Sequence, residues 1–368
     1  MIIQGNCIEV MPQLEAESFH TCVTSPPYWG LRDYSLTQTY WPEVTYTPMP
    51  GLSPMTVPEW TGCLGLEPTP EMFVAHMVKV FREVWRLLRK DGTLWLNFGD
   101  SYAGAPRRDE GFNERWHGKH YLSDKQGDTV RQRPKRILPS NLKSKDLVGI
   151  PWRVAFALQA DGWYLRSDII WNKPNAMPES VRDRPTKAHE YIFLLSKSEK
   201  YYYDKDSIKE PMAESSLARL SQNIEAQQGS YRANGGTKTN GPMKAVGKAY
   251  SFSRKVNEGK VPGKPAQHRE EREDIKYYGY RNKRSVWNVC TAQFSEAHFA
   301  TFPEILIEPC ILAGAPVGGR VLDPFGGSGT TYKVALENNR ECTIIEWNSS
   351  YVEIAKRRTA IIQPILNL

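Results

Sequence analysis

Cysteine is scarce in this sequence and forms no pattern. The six residues, Cys7, Cys22, Cys63, Cys290, Cys310 and Cys342, are scattered over 368 positions. No Cys-x-x-Cys pair and no histidine at zinc spacing accompanies them, so they read as reduced thiols and no metal is expected. Long apolar runs are also missing: none would span a bilayer, and Met1-Ile2-Ile3-Gln4-Gly5 is already strand-like, with no charged leader. No membrane association is expected, and a cytoplasmic location follows by default. No internal repeat is visible, which sets repeat architectures aside.

What is present suits a globular chain. A hydrophobic share of 40% suffices for a core, and 368 residues leave room for one large domain with a smaller one or long insertions. The net charge of +7 favours a polyanion if it is clustered on one face, and is otherwise an ordinary solvated surface.

Residues 320–323 read as an apolar strand, 326–329 as a tight turn, 330–338 as a helix and 341–346 as a second strand. That is half of a nucleotide-binding α/β unit. Asn348 or Ser349 caps a last helix that ends in Lys356, Arg357 and Arg358, as the helix dipole prefers. Near the other end, 1–4 and 19–24 read as strands. Pro26-Pro27 cannot continue a ladder, so the polar residues there sit at a strand's carboxyl end, where open α/β sheets bind ligands. An amphipathic helix is expected over 71–90, ended by Asp91-Gly92 and followed by a strand over 93–98. Helices 151–160 and 304–313, strand 163–171, and a hairpin pairing 189–195 with 201–203 complete the regular elements.

Two short motifs carry chemistry. Thr24-Ser25-Pro26-Pro27-Tyr28-Trp29-Gly30 offers a hydroxyl, a stiff turn and a stacking ring, which suit an exocyclic amino group on a nucleobase. Asp323-Pro324-Phe325-Gly326-Gly327-Ser328-Gly329-Thr330-Thr331 is a glycine-rich turn leaving a strand, which suits a nucleoside-bearing cofactor. Glu346 ends the next strand about 20 residues on, where an acidic side chain reaches ribose hydroxyls.

On these motifs the sequence resembles the S-adenosylmethionine-dependent DNA methyltransferases that modify the amino group of cytosine or adenine. It is most similar to the branch in which the catalytic motif precedes the cofactor turn, and Ser-Pro-Pro-Tyr is the form typical of N4-cytosine enzymes. The resemblance covers roughly residues 1–102, 146–205 and 286–368. It implies a Rossmann-like α/β fold: a mostly parallel seven-stranded sheet with an antiparallel hairpin, circularly permuted, with an inserted target-recognition region. It also implies S-adenosylmethionine as cofactor and double-stranded DNA as partner, in a prokaryotic cell or its virus-infected host. Oligomeric state is left open. The expected division is a catalytic part over 1–206 with a basic insertion at 103–145, a target-recognition insertion over 207–284, and a cofactor-binding part over 285–368.

The resemblance also assigns roles. The lone pair of an exocyclic amine is delocalised into the ring, so the nitrogen is a poor nucleophile; acceptors for its hydrogens draw it towards tetrahedral geometry. The Ser25 side chain and the Pro26 carbonyl are those acceptors, Pro27 stiffens the turn, and Tyr28 stacks on a flipped-out base. Asp323, Phe325, Gly326, Gly327, Ser328, Gly329, Thr330 and Glu346 hold the cofactor, with His298 and Phe302 closing over its methionine end. Asn6 stands where relatives usually carry an acid and is a weaker contact.

Trp171 and Lys173 lie at a strand end where the target base could be lined. Arg182 and Arg184 either hold phosphate or pair with Glu179 and Asp183. In the long insertion, Arg254, Lys255, Arg281, Lys283 and Arg284 are interleaved with aromatic residues, which suits DNA; a solvated loop is the other reading. Three functions stand at this level: N4-cytosine methylation, N6-adenine methylation, and DNA binding without catalysis.

Overall fold

The computed structural model describes residues 1–30, 37–103, 142–220, 279–291 and 302–360. His298, Arg254 and Lys255 lie outside them. In chain order the elements are β1 (Ile2–Gln4), α1 (Cys7–Val10), β2 (Phe19–Thr24), β3 (Thr39–Trp41), β4 (Val44–Tyr46), β5 (Met55–Val57), β6 (Trp60–Gly62), α2 (Pro70–Leu87) and β7 (Leu88–Phe98). There follow α3 (Ile150–Ala160), β8 (Tyr164–Asn172), β9 (His189–Ser196), β10 (Glu210–Pro211), α4 (Glu214–Leu220), β11 (Tyr280–Arg281) and β12 (Val286–Asn288). The last are α5 (Glu304–Gly314), β13 (Arg320–Asp323), α6 (Thr330–Glu337), β14 (Glu341–Glu346) and α7 (Ser349–Thr359).

The chain forms two compact units, one of residues 1–207 with 284–368 and one of Ile208–Lys283. The larger is built on an eight-stranded sheet in the order β1-β14-β13-β2-β7-β9-β8-β12. Neighbours are parallel except where β9 runs against both β7 and β8. In the smaller unit, β10 and β11 pair antiparallel and Arg281 Nε donates to Glu210 Oε1 at 2.8 Å.

The fold is the expected Rossmann-like α/β sheet, with three differences in detail. An eighth strand, β12, is added, because 286–288 finds the open edge of β8 and pairs in register. Residues 201–203 do not form a hairpin with 189–195: β9 already has a partner on each side, leaving no edge for a third. Instead Tyr202 N donates to the Asp91 carbonyl and Tyr203 stacks on Trp95. The long helix stops at Leu87, short of Asp91-Gly92, because Leu88 is already extended and paired with Phe19 in β2.

Side-chain alternation sends successive β2 residues to opposite faces. Cys22 joins the main hydrophobic cluster with α2 and α3 residues such as Phe73, Phe81, Val154 and Leu158. On the other face, Thr21 meets Thr93, hydroxyl to hydroxyl at 2.9 Å, beneath Gly314 of α5. A Cβ at Gly314 would lie 2.5 Å from the Thr21 hydroxyl, so only glycine lets α5 approach this closely.

One buried carboxylate ties three elements together at the top of the sheet. Asp323, 1% exposed at the end of β13, accepts from the Thr24 hydroxyl at 2.6 Å, the Thr331 hydroxyl at 2.6 Å and the Phe325 amide at 3.0 Å. Burial pushes its carboxyl above the usual range, and the three donors oppose that shift. Asp323→Ala leaves those donors facing a void, and each unpaired buried group costs roughly 1–3 kcal/mol. The expected result is a clear drop in the urea unfolding midpoint with unchanged slope. A midpoint equal to that of the wild type would show that the donors find other partners.

Candidate active site

Parallel strands deliver their carboxyl ends to one edge of the sheet, and this edge gathers the polar residues. β2 leads into Ser25-Pro26-Pro27-Tyr28, β13 into the glycine turn, and β14 ends in Glu346. β1 leads to Gly5-Asn6, β7 carries Asn97 near its end, and β8 leads to Lys173. Because β9 runs the other way, its start brings Glu190 to the same edge. Together they line one cavity of about 360 Å³, a size typical of small-molecule sites. Phe302, Phe325, Trp347 and Tyr351 give it apolar walls.

At the glycine turn, Glu346 Oε2 accepts from the Gly327 amide at 2.8 Å and Oε1 from the Asn348 amide at 2.7 Å. Each oxygen keeps further acceptor capacity towards the cavity. Burial is the main cause that raises the Glu346 carboxyl above its usual range. Gly326 cannot carry a side chain, since a Cβ would lie 2.7 Å from Cβ of Ile344; Gly329 has φ +81° and abuts Ala355. Arg358 reaches back to donate to the Ser328 and Thr330 hydroxyls at 2.9 and 3.1 Å.

Gly326, Gly327, Ser328, Thr330, Phe325 and Glu346 all line the cavity, whereas Asp323 and Gly329 do not. Asp323 lies behind the turn with its carboxylate engaged as described, so it shapes the loop. Asn6 lines the cavity while its side chain is occupied: Oδ1 caps α1 at the Ile8 amide and Nδ2 donates to Thr39 at 3.0 Å.

Across the cavity, Ser25 Oγ lies 3.3 Å from both Asn97 Oδ1 and the Tyr28 hydroxyl. Tyr28 Oη in turn lies 3.0 Å from Asn97 Oδ1 and 2.9 Å from Glu190 Oε2. Lys173 Nζ pairs with Glu190 Oε1 and sits 4.2 Å above the Trp171 ring. The Trp171 indole N–H donates to the Val289 carbonyl at 2.7 Å.

The loop itself is braced from below. Gly30 N donates to the Gly65 carbonyl at 2.6 Å, and Gly65 N donates to Glu67. Glu67, fully buried with His76 at 2.9 Å, has its carboxyl raised chiefly by burial. Trp41 stacks on that histidine at 4.3 Å.

The basic residues expected on DNA divide differently. Arg184 pairs with Glu179 at 2.6 Å and lies 4.0 Å over the Tyr102 ring. Arg182 is exposed, and Asp183 instead pairs with Lys145 at 2.6 Å. Arg281 is engaged by Glu210. Lys283 is half-buried and Arg284 exposed; the Arg284 carbonyl accepts from the Trp287 indole.

A strand-end hydroxyl motif facing a glycine turn across one cavity defines a ligand-binding α/β enzyme, and comparison with known proteins gives its family. A model described as DNA methylase matches residues 19–357. Type II methyltransferase M.SmaI of Serratia marcescens is 40% identical over 358 residues, covering 97% of this chain and 89% of that protein. Type II methyltransferase M.Cfr9I of Citrobacter freundii is 38% identical over 357 residues, covering 97% and 86%. Among solved structures, PvuII DNA methyltransferase (cytosine-N4-specific) superposes with a TM-score of 0.52 at 15% identity, covering 97% of this chain and 85% of that one. The chain belongs to the DNA methylase family whose members methylate the exocyclic amines N6 or N4.

Sequence reasoning missed Asn97 and Glu190. Each is a polar residue at the end of an apolar strand, in Leu96-Asn97-Phe98 and His189-Glu190-Tyr191. That was the available signal, but only the antiparallel register of β7 and β9, with Asn97 opposite Ile192, brings the two side chains to the same edge.

Proposed function

We propose that the protein transfers a methyl group from S-adenosylmethionine to the exocyclic N4 of a flipped-out cytosine in double-stranded DNA. The observation that carries this reading is the single cavity shared by Ser25-Pro26-Pro27-Tyr28 and the Glu346-bound glycine turn. The donor fits beside Glu346, whose two oxygens each take one backbone amide and keep lone pairs for ribose hydroxyls, next to apolar walls that suit a purine. Bound there, S-adenosylmethionine supplies a methyl group on a sulfonium.

Ser25 accepts from the amine, the stiff Pro26-Pro27 backbone aims a carbonyl at its second hydrogen, and the Tyr28 ring supports the base. Serine at the first motif position favours cytosine over adenine; the PvuII enzyme, which shares the fold, is cytosine-N4-specific. Residues 207–284 carry target recognition in this reading, since they interrupt the shared motifs and are basic and aromatic.

Ser25→Ala should lower the single-turnover rate by on the order of 10²-fold while leaving cofactor affinity within error, because the hydroxyl acts on the base in the transition state. Mass spectrometry of nucleosides from methylated DNA checks the target: N4-methylcytosine is expected, and N6-methyladenine would replace the reading by its neighbour.

Glu346→Ala should weaken S-adenosylmethionine binding by roughly 1.5–3 kcal/mol, read by calorimetry. The carboxylate form is the one that holds ribose, and its pKa is raised by burial, so affinity should fall as pH drops, beginning above the ordinary glutamate value of 4.5. Glu346→Gln should flatten that dependence; an unchanged pH profile rules out the ribose role.

Replacing residues 207–284 by a flexible linker should preserve cofactor binding and abolish site preference. Unchanged preference in methylation-sensitive sequencing would move recognition to the basic insertion at 103–145.

A further inference from the structure

Methylation of a neutral amine leaves a cationic nitrogen that must shed a proton. The family assignment does not say where that proton goes in this chain. Ser25 is placed to receive it, but a serine hydroxyl cannot keep it. Its two hydrogen-bonding neighbours are Asn97 Oδ1 and Tyr28 Oη, each at 3.3 Å. Asn97 is a dead end: its amide has no useful basicity. Its orientation is fixed by Nδ2, which donates to the Tyr191 carbonyl at 3.0 Å and to Glu190 Oε2 at 3.3 Å, so that Oδ1 faces the hydroxyls as an acceptor only.

Tyr28 is different. Its single proton has two acceptors within reach, Asn97 Oδ1 at 3.0 Å and Glu190 Oε2 at 2.9 Å. When it points to Glu190, the phenol oxygen accepts from the Ser25 hydroxyl at 3.3 Å. The chain Ser25–Tyr28–Glu190 is then continuous and ends on a carboxylate. Lys173 Nζ pairs with the other oxygen, Glu190 Oε1, so Oε2 alone faces the Tyr28 hydroxyl.

We infer that Glu190 is the proton sink of the transfer reaction, reached from the target amine through Ser25 and Tyr28. This rests on the reading of Ser25 as the amine's acceptor. The N–H bond of the methylated amine breaks and its electron pair returns to nitrogen. Ser25 Oγ takes that proton and gives its own to the Tyr28 oxygen; Tyr28 gives its proton to Glu190 Oε2. The positive charge that arrived with the sulfonium thus ends by neutralising one carboxylate, which later releases the proton to solvent. Tyr28 and Glu190 act through Ser25 in this scheme and Asn97 orients the hydroxyls, while the Ser25 hydroxyl and the Pro26 carbonyl meet the reacting amine.

The test compares single-turnover methyl transfer, at saturating S-adenosylmethionine and duplex DNA, in wild type, Glu190→Gln, Tyr28→Phe and the double variant. Tyr28→Phe keeps the ring that supports the base and removes only the hydroxyl. Each single variant should lose on the order of 10²-fold in rate, as for a lost general base, with cofactor affinity within threefold of wild type. The double variant should be no slower than the slower single, because both interrupt one path.

Glu190→Asp, which keeps a carboxylate at this position, should retain more of the rate than Glu190→Gln, a difference that a merely structural role of the side chain would not produce. A Glu190→Gln rate within twofold of wild type, a Glu190→Asp rate no higher than that of Glu190→Gln, or multiplying defects in the double variant would each overturn the inference. Should Glu190→Gln fail to bind S-adenosylmethionine, Tyr28→Phe alone decides, and a rate within twofold of wild type overturns the path. Ser25→Ala with wild-type rate would instead remove the reading beneath it, a separate and distinguishable result.

Discussion

The parallel pairing of β13 with β2, Val321 against Thr21 and Leu322 against Cys22, is the constraint on which the site depends. It sets side by side two strand ends that are about 300 residues apart in sequence and locks them with one buried carboxylate, Asp323, bonded to Thr24 across the join. The hydroxyl-bearing loop and the glycine turn then emerge from the same edge and face one cavity. No loop has to travel for the two halves of the chemistry to meet.

The strands beyond this pair extend the same logic in both directions. On one side β14 and β1 bring Glu346 and Asn6 to the cavity. On the other, β7, β9 and β8 supply Asn97, Glu190 and Lys173 beside Ser25-Pro26-Pro27-Tyr28. The reversed direction of β9 is what allows a residue at the start of a strand to join residues at the ends of the others. A site divided this way places the glycine turn with Glu346 and the Ser25 motif with Asn97 and Glu190 on opposite sides of one strand junction.

Legibility in the sequence followed how local each signal was. The glycine turn and Glu346 could be read because a tight turn, a helix start and the next strand lie within about 25 residues, and the Pro26-Pro27 stop fixed the end of β2 directly. Asp323 was legible as part of the motif but not in its placement behind the turn, because its partners Thr24 and Thr331 come from both ends of the fold. Glu190 depended on strand order and register, which periodicity alone does not encode. The brace of Glu67, His76 and Trp41 was invisible for the same reason: a glutamate after Gly65-Leu66 looks like a surface residue until its burial beside a histidine is seen.

The pairing of β1 with β14, sealed by the Gly5 amide on the Glu346 carbonyl, has a consequence for how the protein comes into being. The hydroxyl-bearing loop at Ser25 is made long before the strand that completes the opposite half of the cavity. At typical elongation rates roughly 15–65 s separate Thr24 from Glu346. Through that interval β1 and β2 have no permanent neighbour on the β13–β14 side, and pairing over so long a sequence distance is intrinsically slow. A nascent chain therefore carries the Ser25 loop with no glycine turn to face it, and the cavity between them forms only once β13 and β14 have paired with β2 and β1.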